Sequence, residues 1–290
     1  MIAAAIWGGN AVVTKATAGV IGPAEITFWR WAVALVIMAP FVLPALLRGR
    51  ALRWCHVWRL WVMGALGGGM FSILTYFAAL HTSALNIGLI QGLMPLLALM
   101  LAIAMLGQHL SAGAVLGGLV SLTGVVLVVS GGAPSRLLSQ APNPGDALMI
   151  AAVLSYAVYS VLLKRWPVPV TPFQSLFVQN IAPVAVMVPF WLILPRHGLD
   201  GGNIGLVLYA GVLASIAAPL CWMLGIAAIG PARATLFINL VPVIAAVLAV
   251  ALLDERPGPA LLIGGALTVA GVLMAERWQG PGRRRRALSR

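Results

Sequence analysis

Leu93–Leu127 reads LMPLLALMLAIAMLGQHLSAGAVLGGLVSLTGVVL, and Leu240–Met274 reads LVPVIAAVLAVALLDERPGPALLIGGALTVAGVLM. The two align without a gap at an offset of 147, which sets Pro95 on Pro242, Gly117-Gly118 on Gly264-Gly265, and Gly124 on Gly271. Shared Leu or Ala says little in so apolar a chain. Ordered proline and glycine matches say more, because each of these residues fixes a backbone property. Further upstream the offset becomes 149, and Lys15 meets Lys164, Pro23 meets Pro172, and Pro40-Phe41 meets Pro189-Phe190. The sequence reads as a duplication.

Composition says what is duplicated. Of 290 residues, 61% are hydrophobic and 8% charged, and the mean hydropathy is +1.02. A soluble protein carries about 25% charged residues. Apolar runs of about 20 residues, each long enough for a bilayer core, recur along the chain. Glycine, proline and charge breaks divide it into ten segments near 1–16, 24–47, 57–80, 83–106, 110–130, 145–164, 172–195, 203–229, 232–253 and 257–276. The expected fold is an all-α integral membrane protein of ten transmembrane helices. It divides into a first five-helix repeat (1–130), an external linker (131–144), a second five-helix repeat (145–276) and a basic tail (277–290). Five crossings per copy is an odd number, so the second copy enters from the opposite side. Such inverted repeats typify secondary transporters, with the substrate site near the midplane between the halves.

The net charge of +12 does not signal nucleic-acid binding, because the basic residues sit in short connections and in the tail RRRRALSR. With a cytoplasmic N-terminus, the inside holds Arg48, Arg50, Arg53, Arg59, Lys164, Arg165, Arg233, Arg277, Arg283–Arg286 and Arg290, and the outside holds Arg136, Arg196 and Arg256. That asymmetry places both termini in the cytoplasm. Trp54, Trp58, Trp61, Trp166 and Trp278 then form an inner aromatic belt. Residues 1–20 lack a basic leader region and read as the first helix, not a signal peptide. Cys55 and Cys221 lie in separate segments and suggest neither a disulfide nor a metal site.

IWGGNAVVTK near the N-terminus, GPAEITFWRWAVALVI after it, and LLDERPGPALLIGGALTVAGVLM late in the chain resemble EamA-type ten-helix members of the drug/metabolite transporter superfamily. The resemblance spans essentially the whole chain and looks closest to the aromatic amino-acid exporters. It implies export or exchange of small metabolites across a bacterial inner membrane. The family's acidic residue after the ninth helix is matched by Glu255, whereas the first half has Gln108. Small multidrug exporters of that superfamily depend on a glutamate in their first helix. The corresponding region here offers Asn10, which disfavours exchange of cationic drugs for protons.

Polar and small residues at helical spacing mark faces turned away from lipid. Gly88, Gln91, Gly92, Pro95, Ala98 and Ala102 form one such face, mapping onto Thr235, Ile238, Asn239, Pro242, Ala245 and Ala249. Pro95 and Pro242 each remove a backbone hydrogen bond and are candidate hinges. Trp7, Tyr76, Tyr156, Tyr159 and Trp222 are aromatic residues at depth, where polar tips need partners. For each alone, core packing is the stronger reading; as a group they suggest a cavity wall. The repeat pairs Asn10 with Tyr159. His81 reads as a cap of the turn HTSALN, and Gly64 and Gly67–Gly69 read as close helix contacts.

Arg30 is the sharpest feature of the second segment. Its depth of about 9 Å, at roughly 1.5 Å per residue, suggests a side chain snorkelling to the headgroups between Trp29 and Trp31. The repeat places Gln179 on Arg30. The two readings are architecture, which is favoured, and contact with a substrate carboxylate. Lys15 is expected to pair with Glu25.

The expected protein is a monomeric secondary exporter in the bilayer, without cofactor or metal and not an enzyme. It would carry small amphipathic metabolites, foremost amino acids with aromatic or large apolar side chains. The expected substrate contacts are Trp7, Asn10, Arg30, Tyr76, Gln91, Tyr156, Tyr159, Trp222 and Asn239. The alternatives are another anionic, phosphorylated or nucleotide-linked metabolite, which requires several basic residues at mid-depth, or an intramembrane lipid-modifying enzyme, which requires acidic or histidine clusters.

Overall fold

Proline decides where several helices begin. Pro23, Pro144, Pro172, Pro231 and Pro259 each open a helix, where a missing N–H has no partner to lose. Asn143 accepts the Asp146 N–H at 3.0 Å. Thr171 and Gln174 form a reciprocal capping box. The computed structural model describes residues 1–16, 20–48, 54–82, 84–108, 112–135, 143–195, 198–252 and 258–277. In order, the helices are α1 (Ile2–Ala16), α2 (Pro23–Arg48), α3 (Trp54–Ala79), α4 (Asn86–Leu106), α5 (Ala112–Val129), α6 (Pro144–Arg165), α7 (Pro172–Ile193), α8 (Ile204–Ile229), α9 (Pro231–Leu248) and α10 (Pro259–Arg277). Every element among the described residues is helical.

Among the described residues, eight helices, α2 to α9, are long and apolar enough to cross a membrane, while α1 and α10 contain the shorter apolar stretches Ile2–Thr14 and Pro259–Ala275. Length and composition therefore support eight crossings where the sequence reading expected ten. Large apolar side chains face outward, among them Val36, Phe41 and Leu47 at 72, 71 and 83% exposure. Water would penalise such a surface and lipid would not. Arg50, Arg53, Arg136, Arg196, Asp254 to Arg256, Trp278 and the tail lie outside the described residues, as does the side chain of Lys15, so its pairing with Glu25 does too. Glu25 accepts the Gly198 N–H at 2.9 Å.

The aligned glycines meet in space. A Cβ on Gly117 would collide with the Gly271 carbonyl, and one on Gly124 with the Gly264 carbonyl. Applying the offset of 147 to the first contact gives the second, with the partners exchanged. The α5–α10 crossing is thus isologous: residue i meets j, and the mate of i meets the mate of j. Only small residues allow two backbones so close, and dispersion over that contact holds helices together in lipid. Other packed pairs follow the same exchange, among them α2 on α7, α1 on α9 with α4 on α6, α2 on α8 with α7 on α3, and α1 on α8 with α6 on α3.

Both α3 and α8 widen into π-helix midway, at Ala65–Met70 and Tyr209–Ala217. At the end of the second π segment the Ala218 N–H bonds the Leu213 carbonyl, five residues back. The next donor in that series would be residue 219, which is proline and has no N–H. The Ala214 carbonyl is left to partners outside its helix. In α3 the Leu66 carbonyl, inside the first π segment, accepts the Ser155 hydroxyl at 3.1 Å. The helices bearing Pro95 and Pro242 are also irregular just before each proline. Helix Ala84–Gly92 ends before Met94–Leu106 begins, and Thr235–Asn239 is a 3-10 turn.

Candidate functional site

Between the two sets of helices lies a cavity of about 260 Å³. That is just under the roughly 300–1,000 Å³ of typical small-molecule sites. Its walls come from equivalent positions of the two copies: Trp7 with Tyr156, Asn10 with Tyr159, Arg30 with Gln179, Trp31 with Asn180, and Gln91 with Ile238. The aromatic side is continuous. Trp7 meets Tyr156 edge-on at 6.3 Å, Tyr156 meets Tyr159 at 5.3 Å, and Phe71 leans on Tyr156 at 5.1 Å. Glycine makes room for it. A Cβ on Gly67 would stand 2.6 Å from the Tyr159 ring, and a Cβ on Gly64 would strike the Gln179 carbonyl.

Arg30 turns into this cavity and not to the headgroups, contrary to the snorkelling expectation. The reason is the π segment of α8. The Arg30 Nε donates to the Ser215 hydroxyl at 2.8 Å, and Nη2 donates to the Ala214 carbonyl at 3.3 Å. The same freed carbonyl accepts the Trp7 indole N–H at 3.2 Å. The guanidinium carbon stands 5.0 Å from the Trp31 ring centroid, a favourable cation–π distance. Two of the lining residues carry a buried polar atom with no partner among the described residues, Asn10 Oδ1 and Trp31 Nε1. Buried polar atoms without partners are uncommon in native proteins, and water or a ligand in the adjoining cavity would supply one. Among the described residues, no group of three His, Cys, Asp or Glu side chains is placed to hold a metal.

A family model described as "EamA-like transporter family" matches residues 1–130 and 143–276. The chain belongs to the EamA-like transporter family. Among the similar curated proteins is an uncharacterized transporter, YyaM, of Bacillus subtilis, 27% identical over 281 residues, covering 92% of this chain and 90% of that one. A probable terminal-alkyne amino-acid exporter of Streptantibioticus cattleyicolor is 27% identical over 231 residues, covering 77% and 74%. Protein PecM of Dickeya dadantii is 27% identical over 226 residues, covering 76% and 74%. A solved crystal structure superposes with a TM-score of 0.80 at 22% identity, covering 96% of each chain, which speaks to the fold.

In this EamA-like transporter, six of the expected contact residues line the cavity: Trp7, Asn10, Arg30, Gln91, Tyr156 and Tyr159. Three others are placed elsewhere. Trp222 packs behind the wall, 5.6 Å from Trp7 and 6.0 Å from Tyr156. Tyr76 pairs with Phe77 at 5.5 Å, away from the lining. Asn239 is buried and donates to the Ser121 hydroxyl at 3.0 Å, tying α9 to α5. Trp31, Gln179 and Asn180 line the cavity without having been expected as contacts. The signal was in the repeat, because the offset of 149 pairs Arg30-Trp31 with Gln179-Asn180. Pro95 is buried beside the broken turn of α4 and does not itself line the cavity. His81 bonds the Phe77 carbonyl at 3.0 Å, at the end of α3.

Proposed function

We propose that this protein is a monomeric bacterial inner-membrane exporter of small amphipathic metabolites, foremost amino acids with aromatic or large apolar side chains. In this reading all ten helices cross the bilayer, as two inverted five-helix units (1–130 and 145–276) joined by an external linker, with both termini cytoplasmic. Rocking of one unit against the other, with bending next to Pro95 and Pro242, alternates access to the cavity. The observation that carries the reading is the cavity itself. It sits where equivalent positions of the two copies meet, and it pairs an aromatic wall with a polar one. The isologous glycine crossing supports the inverted arrangement, because five crossings per copy would relate the units by a two-fold axis in the membrane plane. The relative named as a probable amino-acid exporter supports the substrate class.

Facilitated diffusion without a coupling ion fits the lining, which among the described residues contains no Asp, Glu or His. The alternative of a phosphorylated substrate asks for several cations, and among the described lining residues Arg30 is the one cationic side chain. In proteoliposomes without any ion gradient, the protein should speed tryptophan or phenylalanine down its own gradient. Absence of such flux across a panel of amino acids would sink the substrate claim.

A further inference from the structure

Arg30 brings a charge. Its Nε and Nη2 are engaged by the Ser215 hydroxyl and the Ala214 carbonyl, neither of which carries a charge. Beside it, the Trp31 indole N–H is unpartnered although the residue is only 8% exposed. At the mate positions the amide N–H groups of Gln179 and Asn180 are turned to Ser175 and Met38. Against this stand no carboxylates among the described lining residues. A half-buried cation facing a cavity, with no counter-ion among the described lining residues, is matched by a ligand anion, since a charge drawn from water without a partner is costly. The aromatic wall of Trp7, Tyr156 and Tyr159 suits an apolar body on the same ligand.

A zwitterionic amino acid would therefore be bound unequally at its two charges. Its carboxylate meets Arg30 and Trp31. Its ammonium finds neutral acceptors at best, because no carboxylate is among the described lining residues, inside a cavity that already holds a positive charge. Repulsion between like charges is strong where water is scarce. We infer that this cavity selects its substrates by a carboxylate bound at Arg30 and Trp31, and that the α-ammonium is dispensable, so that aryl- and alkyl-carboxylates lacking an amine are substrates as well. This rests on the reading of the cavity as the substrate site.

Calorimetric titration of the purified protein with three ligands tests it: L-phenylalanine, 3-phenylpropionate, which lacks the amine, and phenethylamine, which lacks the carboxylate. The expected result is 3-phenylpropionate binding within about threefold of phenylalanine, and phenethylamine binding roughly tenfold more weakly or worse. Arg30→Gln should weaken 3-phenylpropionate roughly tenfold or more and leave phenethylamine no weaker. Equal binding of phenethylamine, or 3-phenylpropionate unaffected by Arg30→Gln, overturns the inference. If phenylalanine binds and 3-phenylpropionate does not, the inference fails while the amino-acid reading stands. If none of the three binds, both fall. The ligand series on the unaltered protein decides the matter even should the variant not fold.

Discussion

The α2–α8 contact and its mate, the α7–α3 contact, occupy equivalent places in the two copies and are built from different chemistry. On one side a charged side chain, Arg30, reaches across to the Ser215 hydroxyl and the freed Ala214 carbonyl. On the other, Gln179 turns back along its own helix to Ser175 at 2.9 Å. There the gap is closed by Gly64 lying against the Gln179 backbone. Both sides keep a π segment on the receiving helix. The duplicated scaffold has kept its backbone devices, while the side chains facing the cavity have diverged. Architecture is therefore expected at positions where the copies agree, and substrate choice where they differ.

The largest effect is expected where the copies agree most. Gly124→Leu or Gly271→Leu puts side-chain atoms into a backbone of the partner helix. It should destabilise by about 3 kcal/mol or more, read as lost folded protein in size-exclusion and thermal melts. Next comes the point of greatest divergence. Arg30→Gln makes the two sides alike. It should cut phenylalanine flux in proteoliposomes roughly tenfold or more, whereas Gln179→Leu should cost only a few-fold; equal losses would erase the distinction drawn between the sides. Smaller again is the hydroxyl pair. Ser215→Ala and Ser155→Ala each remove one hydrogen bond to the opposite copy, worth about 1 kcal/mol in the melt. Only Ser215→Ala should also change transport, because only Ser215 holds Arg30. The smallest effect is expected behind the wall. Trp222→Phe should leave flux within about twofold, because Trp222 does not line the cavity and a Trp-to-Phe change keeps most of the apolar contact. Flux strongly reduced by Trp222→Phe would place the substrate deeper than the cavity described.

The helix ends were legible because proline and glycine punctuate them. The expected 145–164 and 203–229 became Pro144–Arg165 and Ile204–Ile229. The α5–α10 crossing was foreshadowed by the aligned glycines, although their alignment alone did not say that they would touch. The π segments were not legible. A uniformly apolar helix has no polar stripe whose drift would reveal an extra residue per turn. That hid the freed Ala214 carbonyl and so the true direction of Arg30, which depth alone pointed toward the headgroups. Tyr76, Trp222 and Asn239 stand out in the sequence as polar or aromatic groups at depth. Such groups serve equally well as packing elements that tie helices together, as Asn239 does in donating to Ser121. Residue type at depth selects candidates, and the pairing of equivalent positions selects better, since it points to Arg30-Trp31 and Gln179-Asn180 together.

The central claim is that substrate passes through the cavity between the two copies. Ala11 lines that cavity and is itself exposed, so Ala11→Trp fills the space without disturbing buried packing. Uptake of radiolabelled phenylalanine into proteoliposomes, with no ion gradient, is the direct measurement. The account predicts uptake by the unaltered protein well above empty liposomes, and near-background uptake by Ala11→Trp at an unchanged melting temperature. Equal uptake by the two proteins would contradict it.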